Sequence, residues 1–417
     1  MSSHRASGRT QQVSRGARHD DSRPGLLWGS PLPPTRSGVA DYASEILPHL
    51  ARAADVGLLE PPDWQAPEHA QWLDGLARLA WDAPTPQGTT ALLHLGNNPY
   101  HLWIAHRLRR HGGVVVLHDS VLHHLLVEEA AEDGDWRRFG AEMAEAHGPA
   151  GGALAAARRW GYTSRADPFL FPARAVYLKR ASAVLVHNRK AAADVVVACP
   201  GMPVQAVPLA VAALPRGNRR DWRRRLGAGD GDLVVAHLGF LTPAKGLETV
   251  LRALVALGEL GVSARLVVVG EGEEGAAFAR ALGPAGLQER VTVWGWADSA
   301  DLGGILHAAD LGLVPRYPTA GETSAAALRF LAAGTPVAIS GFGQFLEFPA
   351  DAAPRIAPGR AGVADLVRLM ALLAVDREAR RRARAAARSA WERGEHDPAR
   401  AASRLVAAMQ ELGGHVV

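Results

Sequence analysis

Short runs that are apolar from end to end recur along this chain. GLLWGS, ALLHLGN, GVVVLHDS and AVLVHN stand in the first half, and LVVAHLGF, ARLVVVGEG, VTVWGW, LGLVPRY and TPVAIS in the second. Each is closed by a glycine or polar turn and followed by a helix-spaced pattern. A strand apolar on both faces needs cover on both, which suits a parallel sheet buried between helices. Strand alternating with helix, twice over, predicts an α/β chain with two doubly wound sheets. The 417 residues and 48% hydrophobic content suffice for two cores.

Between the two sets lies ACPGMPVQAVPLAVAALPRGNRR, where Pro200, Pro203, Pro208 and Pro215 interrupt any long helix. The domain boundary is placed near Ala210, giving a first domain over 24–210 and a second over 211–390. DREARRRARAAARSAWERGEH reads as a late helix, and DPARAASRLVAAMQEL as a final one from an Asp-Pro cap, with Leu405, Val406 and Met409 as its apolar stripe. Residues 1–23 carry Arg and Ser with no apolar segment after them, so they read as a disordered tail and not as a secretory signal.

The charge balance excludes a nucleic-acid binder: 46 basic side chains against 42 acidic give +4, and the pI near 9.5 reflects an arginine-rich composition. The clusters over 216–227 and 106–113 read as solvated helix faces, with contact to phosphate or an anionic membrane surface as the alternative. A single cysteine, Cys199, rules out intramolecular disulfides and a cysteine-rich metal site, and fits a reducing compartment. No apolar run approaches the roughly 20 residues needed to span a bilayer. The expected location is cytoplasmic, at most peripheral to the inner face of the membrane.

In open parallel sheets ligands bind beyond the carboxyl ends of the strands. The first such loop, GSPLPPTRSGVADY, brings Ser37 and Gly38 to a helix start, where backbone can approach a phosphate or simply cap the helix. In VVVLHDSVLHHLL, His118 and Asp119 stand where a strand has just ended, and His118 is either a donor to a sugar or phosphate oxygen or a histidine satisfied by backbone. His123 and His124 lack metal-ligand spacing such as H-E-x-x-H. In AHLGFLTPAKGLETV, Gly239 turns the chain and Lys245 precedes a helix whose dipole it opposes, which favours an anionic ligand. That loop is not a P-loop, and VVVGEGEEG, with Glu271, Glu273 and Glu274, is not a dinucleotide fingerprint. Asp298 and Asp301 in WADSADL read as a turn and helix cap.

RYPTAGETSAAALRFLAAGTPV carries one acid, Glu322, immediately before a helix whose first amides, at Thr323, Ser324 and Ala325, are donors without intrahelical partners. Either Glu322 caps that helix or it holds a ligand hydroxyl while a diphosphate sits on the amides.

Taken in order, PLPPTRSGVADY, LHD, GFLTPAKG, GETSAAALRFLAAGTPV and GFGQFLEFP resemble the family 4 (group 1) glycosyltransferases of the GT-B fold, from about Leu26 to Val417. The resemblance implies two Rossmann-like domains facing across a cleft, with residues 391–417 crossing back onto the first. It implies retaining transfer of a sugar from a nucleotide diphosphate sugar to a glycan, lipid-linked or small-molecule acceptor, with no metal and no cofactor beyond that co-substrate. His118, Lys245 and Glu322 would carry the catalysis: His118 on the sugar, Lys245 on phosphate, Glu322 on a sugar hydroxyl. Ser37, Gly38, Asp119, Gly239, Thr323, Ser324, Ala325, Arg329 and Glu347 would line the substrate site.

The chain departs from the family pattern twice. Phe240 in GFLTPAKG occupies the place of an arginine, removing a cation. The family also carries paired glutamates, the second just before its A-x-A-x-G-x-P run; that place holds Arg329, and the first falls at Gly321 with Glu322 one step beyond. Arg329 either faces a phosphate or base or pairs with a nearby acid. Glu347 either binds ligand or caps a helix. These departures leave two rivals, a non-catalytic sugar-nucleotide or glycan-binding protein and a nucleotide-sugar epimerase of the same fold.

Overall fold

The computed structural model describes residues 23–272 and 274–412. The tail expected over 1–23 lies outside the described residues apart from Arg23, as do Glu273 and residues 413–417.

All nine apolar runs are strands. The first sheet comprises β1 (Gly25–Gly29), β2 (Asp55–Glu60), β3 (Ala77–Ala80), β4 (Thr89–Leu95), β5 (Val114–Leu117), β6 (Ala183–Val186) and β7 (Val204–Ala206), in the order β3-β2-β1-β4-β5-β6-β7. The second comprises β8 (Leu233–Leu238), β9 (Ala264–Val269), β10 (Val291–Gly295), β11 (Leu311–Val314), β12 (Val337–Ser340) and β13 (Arg355–Ile356), in the order β10-β9-β8-β11-β12-β13. Every neighbouring pair is parallel.

Successive residues of the central strands enter opposite cores, as the pleat requires. Leu26 and Trp28, Leu92, Val114 and Val116 pack on one side of the first sheet. Leu27, Leu93, Val115 and Val184 pack on the other. In the second sheet Val234 and Ala236 face one core, Leu233 and Val235 the other.

The four further strands carry weaker signals. β2 spends a position on Gly57 and is acidic at both ends; β3 is mostly exposed; β13 has only two residues. β7 corrects the reading of 198–220 as pure connection, because Val204–Ala206 pairs with β6 along the sheet edge before the chain leaves.

Five helices frame the cleft and the join between the domains: α1 (Gly38–Ala53), α2 (Arg189–Ala198), α3 (Ala325–Ala332), α4 (Arg377–Arg393) and α5 (Pro398–Leu412). The Asp397 carboxylate accepts from the amide of Ala399 at the start of α5. On α5, Leu405 and Met409 are buried and Val406 partly so, against Tyr42, Ile46 and Leu47 of α1. A helix made after the whole second domain thus completes the core of the first. Among the described residues no helix is long and apolar enough to cross a membrane.

Each sheet changes direction of growth beside its first strand, at β1/β4 and at β8/β11. Loops leaving those strand pairs diverge and open a crevice. Ser37 follows β1, Lys245 follows β8, and Glu322 follows β11.

Candidate functional site

The second domain's half of the site is built on a close approach of two loops. After β8 the chain turns through Pro243–Lys245 into Gly246, which has φ of 67°. A Cβ on Gly246 would lie 2.3 Å from the Pro315 carbonyl oxygen, so only glycine lets this turn rest on the chain leaving β11. The Tyr317 amide donates to the Ala244 carbonyl at 2.9 Å and fastens the two together.

Lys245 consequently stands beside Arg316 and close over the Gly239 turn: a Cβ on Gly239 would lie 3.4 Å from its Nζ. Among the described residues the Lys245 ammonium has no hydrogen-bond or ion-pair partner. Burial, then the charge of Arg316, holds its pKa well below the usual lysine range, with Asp119 opposing.

Arg316 was given no role in the sequence reading, where it stood only within the runs LGLVPRY and RYPTAGETSAAALRFLAAGTPV. Its side chain is 11% exposed and ion-pairs through Nη1 with Glu322. Burial lowers its pKa to about 10 against the pull of Asp119, and its Nε–H is buried without a partner. The other Glu322 oxygen accepts from Thr319 Oγ1 at 2.9 Å, and Gln344 Nε2 donates to Thr319 Oγ1 at 2.6 Å and to the Glu322 carbonyl at 3.0 Å.

The helix-cap alternative for Glu322 does not describe this geometry. The cap of α3 is Ser324, whose hydroxyl accepts from the Ala327 amide at 3.2 Å. The Glu322 carboxylate turns away from the helix toward Arg316 and Thr319, because an acid beside a buried guanidinium gains more from that charge than from a helix dipole.

On the first-domain side, β5 delivers His118 and Asp119. The His118 amide donates to the Leu95 carbonyl at 2.8 Å, and its Nε2 meets His94 Nδ1 at 2.9 Å. His187 lies against His118 with ring centroids 5.0 Å apart, and Tyr42 is edge-on at 5.4 Å. Burial among these rings holds the pKa of His118 well below the usual histidine range. One nitrogen of His118 is therefore used within the protein, and the ring is neutral.

Asp119 Oδ2 accepts from the Asn97 amide at 2.9 Å. Burial raises its pKa, while that amide and the charges of Arg316 and Lys245 act the other way. This carboxyl thus couples across the cleft to both cations. Ser37 caps α1, its Oγ accepting from the Val39 amide at 3.3 Å, and the space above Gly38 is open to 4 Å.

Three residues expected to line the substrate site make contacts that fasten the domains together. Thr323 Oγ1 donates to the His187 carbonyl at 2.9 Å and accepts from Asn188 Nδ2 at 3.0 Å. Arg329 pairs with Glu45 of α1 at 2.5 Å, so the acid-pairing alternative is the one realised. Glu347 accepts from the amides of Arg189 and Lys190 at 3.0 and 2.9 Å, capping α2 of the opposite domain, as a carboxylate at a helix N-terminus does. Beside them the Ala320 carbonyl accepts from the amides of Ser120 and Val121 at 2.7 and 3.1 Å. Gly321, with φ of 82°, has no room for a Cβ, which would meet Ser120 at 2.7 Å. Ala325 begins α3 and packs partly buried against the first domain's core.

Residues 218–390 match the family described as glycosyl transferases group 1. The match spans most of the second domain. A stretch of 139 residues is 27% identical to 2-deoxystreptamine glucosyltransferase of Streptomyces kanamyceticus, covering 33% of this chain and 35% of that one. Another, of 137 residues, is 36% identical to D-inositol 3-phosphate glycosyltransferase of Mycobacterium ulcerans, covering 30% and 28%. Both likenesses span well under half of the relatives' own lengths.

Over the whole fold the chain is similar to sucrose-phosphate synthase of Thermosynechococcus elongatus, with a TM-score of 0.65 at 18% identity over 94% of this chain and 99% of that one. It is also similar to Anabaena HepE in complex with UDP-glucose, with a TM-score of 0.59 at 17% identity over 93% and 100%. Likeness at such identity is a likeness of fold, and the fold is GT-B.

Proposed function

We propose that this chain is a retaining, metal-independent glycosyltransferase that moves a sugar from a nucleotide diphosphate sugar to a glycan, lipid-linked or small-molecule acceptor. The observation that carries the reading is the unpaired Lys245 ammonium in the cleft, beside a second cation and at the switch point of a group 1 glycosyl transferase domain. When the bond from the anomeric carbon to the diphosphate oxygen breaks, its electrons go to the leaving group and the sugar becomes cationic. Lys245 opposes the first charge, most strongly where water is thin. Neutral His118 holds a sugar hydroxyl through its remaining nitrogen. Ser37 and Gly38 leave the first domain's loop open for donor phosphate or acceptor.

The names of the relatives, a glucosyltransferase and a protein holding UDP-glucose, favour a nucleotide-hexose donor. Metal independence is supported by the fixed cations and by the acids of WADSADL, since Asp298 accepts from the Asp301 amide at 2.8 Å and Asp301 pairs with Arg225 at 3.0 Å. Retention rests on the resemblance.

The test is a donor panel of UDP-, GDP-, ADP- and dTDP-sugars, scored for nucleoside diphosphate release with and without acceptor and repeated in EDTA. Release that survives EDTA and rises with acceptor is expected. Binding without release would favour the non-catalytic rival, and sugar inversion without acceptor the epimerase. Product of the opposite anomeric configuration would overturn retention and make Asp119 the candidate base.

A further inference from the structure

We infer that Arg316 is a second binding residue for the donor's diphosphate, and that Glu322 is a positioning residue that holds the Arg316 guanidinium in the cleft instead of holding the sugar. The inference rests on the nucleotide diphosphate donor proposed above.

Three observations carry it. First, Arg316 leaves β11 next to the turn of Lys245, and the close contact of Gly246 with Pro315 locks that adjacency into the backbone. Two cations are thereby held together with the Lys245 ammonium unpaired, an arrangement suited to a polyanion. A diphosphate, with oxygens on two phosphorus atoms, spans two neighbouring cations.

Second, Glu322 pairs with Arg316 through Nη1, while the Nε–H is buried without an acceptor. An orphaned donor on an already desolvated cation is costly, and a ligand oxygen would relieve it. The guanidinium keeps hydrogen-bonding capacity in a fixed fork geometry suited to phosphate oxygens. Third, Phe240 offers no charge from the neighbouring turn. It is 43% exposed, with its ring 6.4 Å from that of Trp296, leaving Arg316 as the cation available beside Lys245.

Glu322 then has a task its own surroundings explain. Thr319 Oγ1 donates to its carboxylate from behind while accepting from Gln344, and that carboxylate fixes Arg316. Removing its charge frees the guanidinium to move, which weakens binding of a nucleotide that carries no sugar at all. A sugar-holding glutamate makes the opposite prediction, because its removal leaves sugar-free nucleotide untouched.

The experiment is calorimetric titration of the full chain with UDP, GDP, ADP and dTDP, and then with the monophosphate of whichever binds best. Arg316→Met should weaken the diphosphate about 10- to 100-fold and the monophosphate much less, as expected for loss of a charged hydrogen bond to the second phosphate. Arg316→Lys should recover part of the loss, and Glu322→Gln should weaken the diphosphate several-fold. Circular dichroism confirms that each variant is folded, and Arg316→Lys serves alone if Arg316→Met is not. Unchanged diphosphate affinity in Arg316→Met overturns the role of Arg316 while leaving the donor reading standing. Equal losses for mono- and diphosphate overturn it as well, and unchanged affinity in Glu322→Gln overturns the positioning role. A wild-type chain that binds none of the four overturns the donor reading and this inference with it.

Discussion

Replacing His101 with asparagine should remove a defined part of the protein's loss of stability in acid. His101 is wholly buried, its Nδ1–H donates to the His94 carbonyl at 2.8 Å, and its Nε2 has no partner. Burial outweighs that bond and pushes its pKa down to about 4 from 6.5. Because the folded value lies below the unfolded one, the folded chain refuses a proton that the unfolded chain accepts. The stability is complete above pH 6.5 and drains away as the pH falls toward 4.

A shift of about 2.5 units amounts to about 3 kcal/mol once the pH is below both values, and about 2 kcal/mol of that is lost between pH 7 and 5. Asparagine keeps an amide N–H near the Nδ1 position and cannot charge. Urea unfolding of both proteins at pH 7, 6 and 5 should therefore give a difference that narrows by about 2 kcal/mol on acidification, whatever the substitution costs at pH 7. Parallel pH profiles would refute the reasoning. His187, at about 4, and His237, at about 3, titrate in the same window and account for much of the acid sensitivity left in the variant.

Lys245→Ala should lower both nucleoside diphosphate affinity and kcat/KM, costing about 2–4 kcal/mol of transition-state stabilisation, and unchanged steady-state kinetics would contradict it. Since Lys245 binds phosphate only when protonated and its pKa lies well below 10.5, wild-type affinity should fall as the pH rises through that depressed value. Lys245→Arg should show no such fall in titrations from pH 6 to 10. Glu347→Gln should cost about 0.3–1 kcal/mol in urea unfolding, by loss of a charge at the start of α2, and leave nucleotide affinity alone; the reverse pattern would favour the ligand alternative. Glu45→Gln and Arg329→Met, combined in a double-mutant cycle, should show a coupling of about 0.5–3 kcal/mol in stability, and additivity would show that their pairing does not hold the domains.

Legibility in the sequence tracks the range of the interactions. Nine strands were readable because burial on both faces leaves an unbroken apolar run, and Ser37 and Asp298 because a cap bonds to an amide within three residues. β7 and β13 were not, since three and two residues carry no pattern. Arg329 and Glu347 were readable only as alternatives, because Glu45 and the start of α2 stand far away in the chain and reach them only through the docking of the domains. The ion pair of Glu322 was out of reach for the same reason. Its partner Arg316 is near in sequence, but what makes that pair matter is Lys245, brought alongside by the adjacency of β8 and β11 and the missing side chain of Gly246.

The packing of α5 on α1 imposes an order on biosynthesis. When the first domain has left the ribosome, the α1 faces of Tyr42, Ile46, Leu47 and Leu50 still lack the helix that covers them, and that helix lies on the far side of the entire second domain. At about 5–20 residues per second the wait is on the order of 10–40 s. A nascent chain of this design carries a greasy groove through the translation of its own partner domain. Chaperone engagement on the ribosome should therefore concentrate on α1 and end when Leu405 and Met409 emerge.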